Sequence, residues 1–490
     1  MRVGVIGAGV AGLVTTKVLQ QAGHEVLVVD KTPDLGGVWS TTRRYPGLCT
    51  QSPKAQYALS DFPMPKAFPQ WPSGEQVQAY LADYAEHYDV NPRLSTEVRS
   101  VTRREGSWQL ELTSVDGSST ETVERLVVAN GIFSEPYVPT YDGIGDFEAA
   151  GGRLIPGTEL HDAEEARDKH VLVVGYGKSA CDVTVPISAV AASTDVIARH
   201  LLWKVPRKLH GVVNFKMLLM TRMGEALFRY RYLRGVERFL HGPGNGVRRA
   251  MLNSVGGVSV RQHHLKELGL VPPGAMEDIV KGAIGLATEG FYEAVRAGTI
   301  NVRANSVIQR LLEKDGKPHA ELSDGTVLPA DLVVCSTGFV PGATFLPDEV
   351  RAELFDERGN FLLYRQILPP TLDGLYFNGY NSSFFSPLNA EIAALWIAAD
   401  LGGLVDKPSG LEMRTAADEQ LAFMDIAVGG HHNSGGKIIP FSMHNVDEVL
   451  GDLNMNIGRV ARASHWLNPI NPAAYRGLTP KLLARLEATA

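Results

Sequence analysis

The apolar run Val3-Gly4-Val5-Ile6 opens the chain and stops at Gly7-Ala8-Gly9-Val10-Ala11-Gly12. A helix-like stretch follows through Gln21, then a Gly23-His24 turn and a second apolar run, Val26 to Val29, ending at Asp30. Short apolar runs bounded by glycine read as strands, so the pattern predicts a strand, tight turn, helix and strand. It recurs once: Val171-Leu172-Val173-Val174, then Gly175-Tyr176-Gly177-Lys178-Ser179-Ala180, then a strand near Val196-Ile197-Ala198 ending in Arg199-His200. Residues 73–88 read as a helix, with Ser73 as its cap and Glu75 and Gln76 in its first turn. Alternation over 107–113 and 120–128, around Val115-Asp116-Gly117, predicts an antiparallel hairpin. Residues 45–71, rich in proline and aromatics without a clear period, read as an extended loop.

Leu126-Val127-Val128-Ala129 reads as a buried strand entering the turn Asn130-Gly131. The second sheet is expected to close with residues 320–322 and with Leu332-Val333-Val334-Cys335. Residues 376–380 and a helix over 389–401 then return the chain to the first unit. The fold class predicted is α/β, with two Rossmann-like dinucleotide-binding domains, the second inserted in the first. The first domain takes residues 1–160 and 336–490, the latter including a C-terminal segment. The second takes 161–335, with a helical insertion near 205–290.

The two turns differ at their ends, and the difference carries chemistry. Gly7 and Gly9 allow a tight turn and close approach of backbone N–H groups to a pyrophosphate, while Gly12 lets the helix pack on the strand. Asp30, about twenty residues on, offers a carboxylate to ribose hydroxyls. Gly37 and Trp39, in the loop Gly36-Gly37-Val38-Trp39, favour FAD over NAD, because NAD domains need no such element. Lys31 beside Asp30, and Asn130 and Gly131, are counted with this site. In the second unit Gly175, Gly177, Lys178, Ser179 and Ala180 form the turn; small residues replace the third glycine, and Ser179 can donate to a phosphate. No carboxylate ends its next strand. Arg199 stands there, and a guanidinium pairs bidentately with a 2′-phosphate, so NADPH is expected at the second site.

Composition narrows the classes. The 490 residues are 44% hydrophobic and 21% charged, ordinary for a globular chain of two or three domains. A net charge of −7 argues against a general nucleic-acid binder. Cys49, Cys181 and Cys335 lie far apart, which excludes a disulfide framework and a closely spaced dithiol. Glycines interrupt the first apolar stretch and no run reaches membrane-span length, so a soluble cytoplasmic protein is expected. The adjacent pairs His263-His264 and His431-His432 fit no usual metal spacing, and no metal is expected. Residues 217–249, rich in arginine and large apolar side chains, read as a helical lid that could wall the substrate entry.

The chain resembles the flavin-containing monooxygenases of the class B flavoprotein group, which includes N- and S-oxygenating enzymes, plant enzymes of auxin biosynthesis and Baeyer–Villiger enzymes. The segments that carry the resemblance are G-A-G-V-A-G, the G-G-V-W of Gly36 to Trp39, Tyr45-Pro46-Gly47 and Thr50-Gln51-Ser52-Pro53-Lys54. Ser60-Asp61-Phe62-Pro63, G-Y-G-K-S-A-C-D, Ser336-Thr337-Gly338-Phe339 and the stretch from Glu391 to Trp396 add to them. The resemblance implies FAD, NADPH and oxygen transfer from O2 to a small organic substrate through a C4a-peroxyflavin. It also implies that Gln51, where oxygenating relatives carry an asparagine, lies beside the flavin ring as the candidate catalytic residue. Two departures count: Gln51 is one methylene longer than asparagine, and Pro156 stands where the family's fingerprint has a histidine. Baeyer–Villiger oxygenation, amine N-hydroxylation, and an NADPH oxidase or reductase without oxygen insertion all stay open on this scaffold.

Overall fold

The computed structural model describes residues 1–282, 285–429 and 438–489. Its first parallel sheet has Arg2–Ile6 between Glu25–Val29 and Arg125–Val128, with Leu375–Phe377 beyond the last. Ile6 pairs in register with both Val29 and Val128, so three strand ends align where the first glycine turn begins. Parallel strands covered on both faces carry continuous apolar runs, which is why this sheet could be read from Val3 to Val29. One cover is helix Val10–Gln21, which packs against helix Ser386–Leu401. The latter is buried nearly all round, Trp396 completely, and accordingly has no polar face. It begins three residues before the expected start, with Pro387 in its first turn, where a missing N–H costs nothing.

The second parallel sheet runs in the order Asn301–Ala304, Ser193–Ala198, His170–Val174, Leu332–Cys335, Arg153–Pro156. Residues 320–322 do not join it, against expectation. They belong to Lys317–Leu322, which pairs antiparallel with Ile308–Lys314 and Val327–Pro329 in a separate sheet. Asp315 and Gly316 both adopt positive φ, the geometry of a tight hairpin turn, and the strand buries only alternate residues. A one-faced strand suits an antiparallel sheet rather than the centre of a parallel one. The expected hairpin around Asp116 likewise gains a third strand, Glu97–Arg104.

Helix Gly74–His87 carries the expected cap: Ser73 Oγ accepts from the Gln76 N–H, and Gln76 returns the bond to the Ser73 N–H. The basic stretch after Lys204 breaks into short helices, Lys216–Leu219, Arg222–Ala226 and Val236–Leu240, before the longer Asn245–Gln262. Among the described residues no helix is long and apolar enough to cross a membrane.

Candidate functional site

The two glycine turns have the same backbone. Gly7 and Gly175 sit at φ +113° and +123°, and a Cβ on either would lie 2.6 Å and 2.5 Å from the carbonyl oxygens of Ala129 and Ser336. Each turn is thus pressed against the end of a neighbouring strand. Gly12 is forced by a closer approach, since its Cβ would stand 1.8 Å from the Gly7 oxygen; the equivalent Ala180 fits its own turn fully buried. Both turns feed a helix whose N-cap is glycine, Gly9 for Val10–Gln21 and Gly177 for Lys178–Ser188. Neither helix has a side-chain cap or an acid in its first turn. The first-turn N–H groups therefore receive nothing from a capping side chain, the arrangement that binds an anion.

In front of the first turn lies a cavity of about 450 Å³. Gly7, Gly9, Asp30, Lys31, Gly37, Trp39, Asn130 and Gly131 all line it. Gly9 and Gly37 face each other so closely that a Cβ on Gly37 would be 3.1 Å from the Gly9 Cα, leaving the cavity walled there by bare backbone. Asp30 spends one oxygen on the Ala8 N–H (2.7 Å) and the other on Thr32, holding the turn's shape while it lines the cavity. Lys31 pairs with Glu135 at 3.1 Å. Trp39 is buried and donates its indole N–H to the Tyr57 hydroxyl at 3.0 Å. Asn130 donates to the Gly342 carbonyl and accepts from the Tyr380 hydroxyl, each at 2.6 Å, so its amide is fixed.

A second cavity, also about 450 Å³, opens before the second turn. Gly177, Lys178 and Ser179 line it with Gly157, Thr158 and the segment 335–341. Ile132 and Phe133 line both cavities, so the two share a wall. Ser179 Oγ accepts from the Tyr45 hydroxyl at 2.9 Å, which brings the loop after the first unit onto the second turn. The Lys178 ammonium pairs with Asp182, whose other partner is Thr288 (2.6 Å). Burial raises the Asp182 carboxyl despite that lysine.

Gln51 lines the second cavity and not the first, with its Oε1 accepting from the Leu286 N–H at 3.3 Å. Arg199 follows strand Ser193–Ala198, exposed, and is not among the residues lining either cavity. Pro156 closes the edge strand Arg153–Pro156, where a missing N–H is tolerated, and delivers Gly157 and Thr158 to the second cavity.

Sequence reasoning passed over Arg43, Tyr57 and Tyr380. Arg43 lines the first cavity with its guanidinium on the Phe133 carbonyl, and burial lowers its pKa. Tyr57 caps the Trp39 indole, and Tyr380 arrives from the far end of the chain. Nothing in local spacing marks any of them. His263 stacks on Tyr292 and His264 bonds Glu267, and among the described residues no metal-ligating cluster occurs. The pair His431-His432 lies outside the described residues.

Residues 1–237 match the flavin-binding monooxygenase-like family. The chain is 28% identical over 407 residues to the probable indole-3-pyruvate monooxygenase YUCCA9 of Arabidopsis thaliana, covering 82% of this chain and 88% of that one. It is 26% identical over 445 residues to the human dimethylaniline monooxygenase (N-oxide-forming) 4, covering 86% and 73%. In fold it is similar to NADP+-bound cyclohexanone monooxygenase from Rhodococcus sp. Phi1, with a TM-score of 0.65 at 17% identity over 92% of this chain and 96% of that one. The matched segment spans both glycine turns and the loop between them, and over it the chain is similar to the flavin-binding monooxygenase-like proteins.

Proposed function

We propose that the chain is an FAD-dependent, NADPH-using monooxygenase that transfers one oxygen atom of O2 to a small organic substrate. In this reading FAD lies against Gly7–Gly12 and the Gly37–Trp39 loop, and NADPH lies against Gly175–Ala180. The observation that carries it is the shared wall at Ile132 and Phe133, which makes neighbours of two cavities that each face a helix start without a side-chain cap. Residues 1–160 and 336–490 would hold the flavin, and 161–335 the nicotinamide nucleotide. Both sites fit their groups: bare backbone at Gly9 and Gly37 admits a pyrophosphate that any side chain would exclude, and both helices start without a side-chain cap.

When bound, NADPH would supply hydride and FAD the redox chemistry that activates O2. The chain's residues have narrower tasks. Asp30 and Asn130 hold the dinucleotide from the end of strand Glu25–Val29 and the turn after strand Arg125–Val128, and Trp39 and Tyr57 exclude water from one side. Ser179 and Arg199 take phosphate oxygens of NADPH. Gln51 offers an amide from the second cavity toward the site of oxygen transfer. The similarity to relatives named for indole-3-pyruvate and dimethylaniline supports a small organic substrate.

Anaerobic reduction by NADPH, followed by mixing with O2 and quantifying hydrogen peroxide against NADPH consumed, tests the reading. Less than stoichiometric peroxide, with oxygenated product from a ketone, amine or 2-oxo acid panel, is the expected result. Stoichiometric peroxide with every substrate would replace it with the NADPH oxidase reading.

A further inference from the structure

We propose that Lys204 is a positioning residue for the pyridine dinucleotide: its buried ammonium, seated behind the second glycine turn, strengthens the turn's hold on the nucleotide's phosphates and links binding to proton uptake. The inference rests on the second turn being the NADPH site.

Lys204 is 3% exposed and begins the two-residue strand Lys204–Val205, which pairs with Gly285–Leu286. Helix Asn245–Gln262 anchors its backbone, Ser259 Oγ donating to the Lys204 carbonyl at 2.6 Å. Its Nζ donates to the Tyr176 carbonyl at 2.7 Å and stands 3.4 Å from the centroid of the Tyr176 ring. Tyr176 is the residue between the two glycines of the turn. Among the described residues no carboxylate forms an ion pair with Lys204, whereas Lys178, two residues after Tyr176, has Asp182.

The groups facing it supply no counter-charge. Helix Lys178–Ser188 presents the Cys181 thiol, kept protonated by burial, and the Lys178 ammonium. Helix Phe291–Ala297 presents Tyr292, whose hydroxyl meets that of Tyr176 at 3.2 Å. The end of helix Asn245–Gln262 presents His263, which burial pulls down to about 4 and so holds neutral. Burial also lowers Lys204 itself, to about 8.

A buried cation without an anion is costly, and its place suggests what offsets the cost. The peptide that gives Lys204 its Tyr176 carbonyl has the Gly177 N–H at its other end, and Gly177 lines the second cavity. A cation on the carbonyl polarises the peptide and makes its N–H a stronger donor. An anion in front of Gly177 then provides the missing counter-charge. By reciprocity, the nucleotide raises the proton affinity of Lys204 as the ammonium raises nucleotide affinity.

The sign follows. Without nucleotide Lys204 is charged below about pH 8 and binding is tightest there. As pH rises past that value, binding must first restore the proton, so affinity falls until the pKa of the complex is passed. Each unit of difference between the two pKa values is about ten-fold in affinity. The nucleotide's own 2′-phosphate titrates near pH 6, as about expected for a phosphate monoester, below this window.

The test is calorimetric titration of flavin-loaded protein with NADP+ at about pH 8.5, in two buffers of different ionisation enthalpy, with Kd followed from about pH 7 to 9.5. Wild type is expected to take up a fraction of a proton and to bind more weakly as pH rises. Lys204→Met, which keeps the length and removes the charge, is expected to bind about ten-fold more weakly at pH 7, with no uptake and a flat profile. Binding by wild type without proton uptake overturns the proposal and needs no variant; so does a Lys204→Met protein with wild-type affinity and uptake. Absence of NADP+ binding at every pH overturns the NADPH reading along with it.

Discussion

Gly9 and Gly37 meet backbone to backbone, and both line the first cavity. Gly9→Leu is therefore expected to yield folded but colourless protein; full flavin absorbance in that variant would remove FAD from this turn. Arg199 makes a different kind of claim, because it is exposed just after strand Ser193–Ala198. A phosphate-pairing guanidinium is worth about 1.5–3 kcal/mol, so Arg199→Ala should raise KM for NADPH roughly ten- to hundred-fold and leave KM for NADH nearly unchanged. Equal losses with both nucleotides would deny it the 2′-phosphate. Gln51→Ala should leave flavin reduction by NADPH intact while raising the ratio of hydrogen peroxide to product; an unchanged ratio would make Gln51 a loop amide serving Leu286 alone. Glycine and acid spacing made the turns legible because sterics act over a few residues. Arg43, Tyr380 and Lys204 were not legible as site residues, because their partners Phe133, Asn130 and Tyr176 lie 90, 250 and 28 positions away.

At the scale of elements, the buried strands and the capped helix Gly74–His87 could be read because each has one dominant local signal. The basic insertion reads as helical, but its breaks into short helices could not be read, since those are fixed by tertiary partners. One of its ties is His444, on helix Ser442–Asp452, which bonds Glu225 through Nδ1 and Glu237 through Nε2 (2.7 Å). Those acids come from helices Arg222–Ala226 and Val236–Leu240. Burial alone would lower the His444 pKa, but the two carboxylates together outweigh it and push the imidazole up to about 10. A folded-state pKa above the unfolded value of about 6.5 stabilises fully below pH 6.5 and is lost as pH rises through about 10. Thermal melting should therefore place His444→Gln below wild type at neutral pH, with the gap closing above about pH 10. A gap that stays constant from pH 7 to 11 would mean that the clasp does not depend on the imidazolium.

Across the whole molecule, the two parallel sheets are joined by more than the chain that runs between them. The loop that follows the first unit reaches across to helix Lys178–Ser188: Tyr45 bonds Ser179, Cys49 lies 3.9 Å from the Lys178 ammonium, and Gly47 sits against the backbone of Asp182. A Cβ on Gly47 would come within 2.4 Å of the Asp182 carbonyl oxygen, and Gly47 also has φ +82°. This contact ties the loop after the first glycine turn to the helix of the second, and hydride transfer is steep in distance and alignment, a misplacement of about 1 Å costing on the order of a hundred-fold. Gly47→Val cannot close the contact, yet it lies outside the lining of the first cavity. The variant is expected to hold wild-type flavin and to be reduced normally by dithionite, while NADPH reduces it at least about ten-fold more slowly in stopped flow. If NADPH reduces Gly47→Val at the wild-type rate, the alignment of the two sites is set by some other contact than this loop.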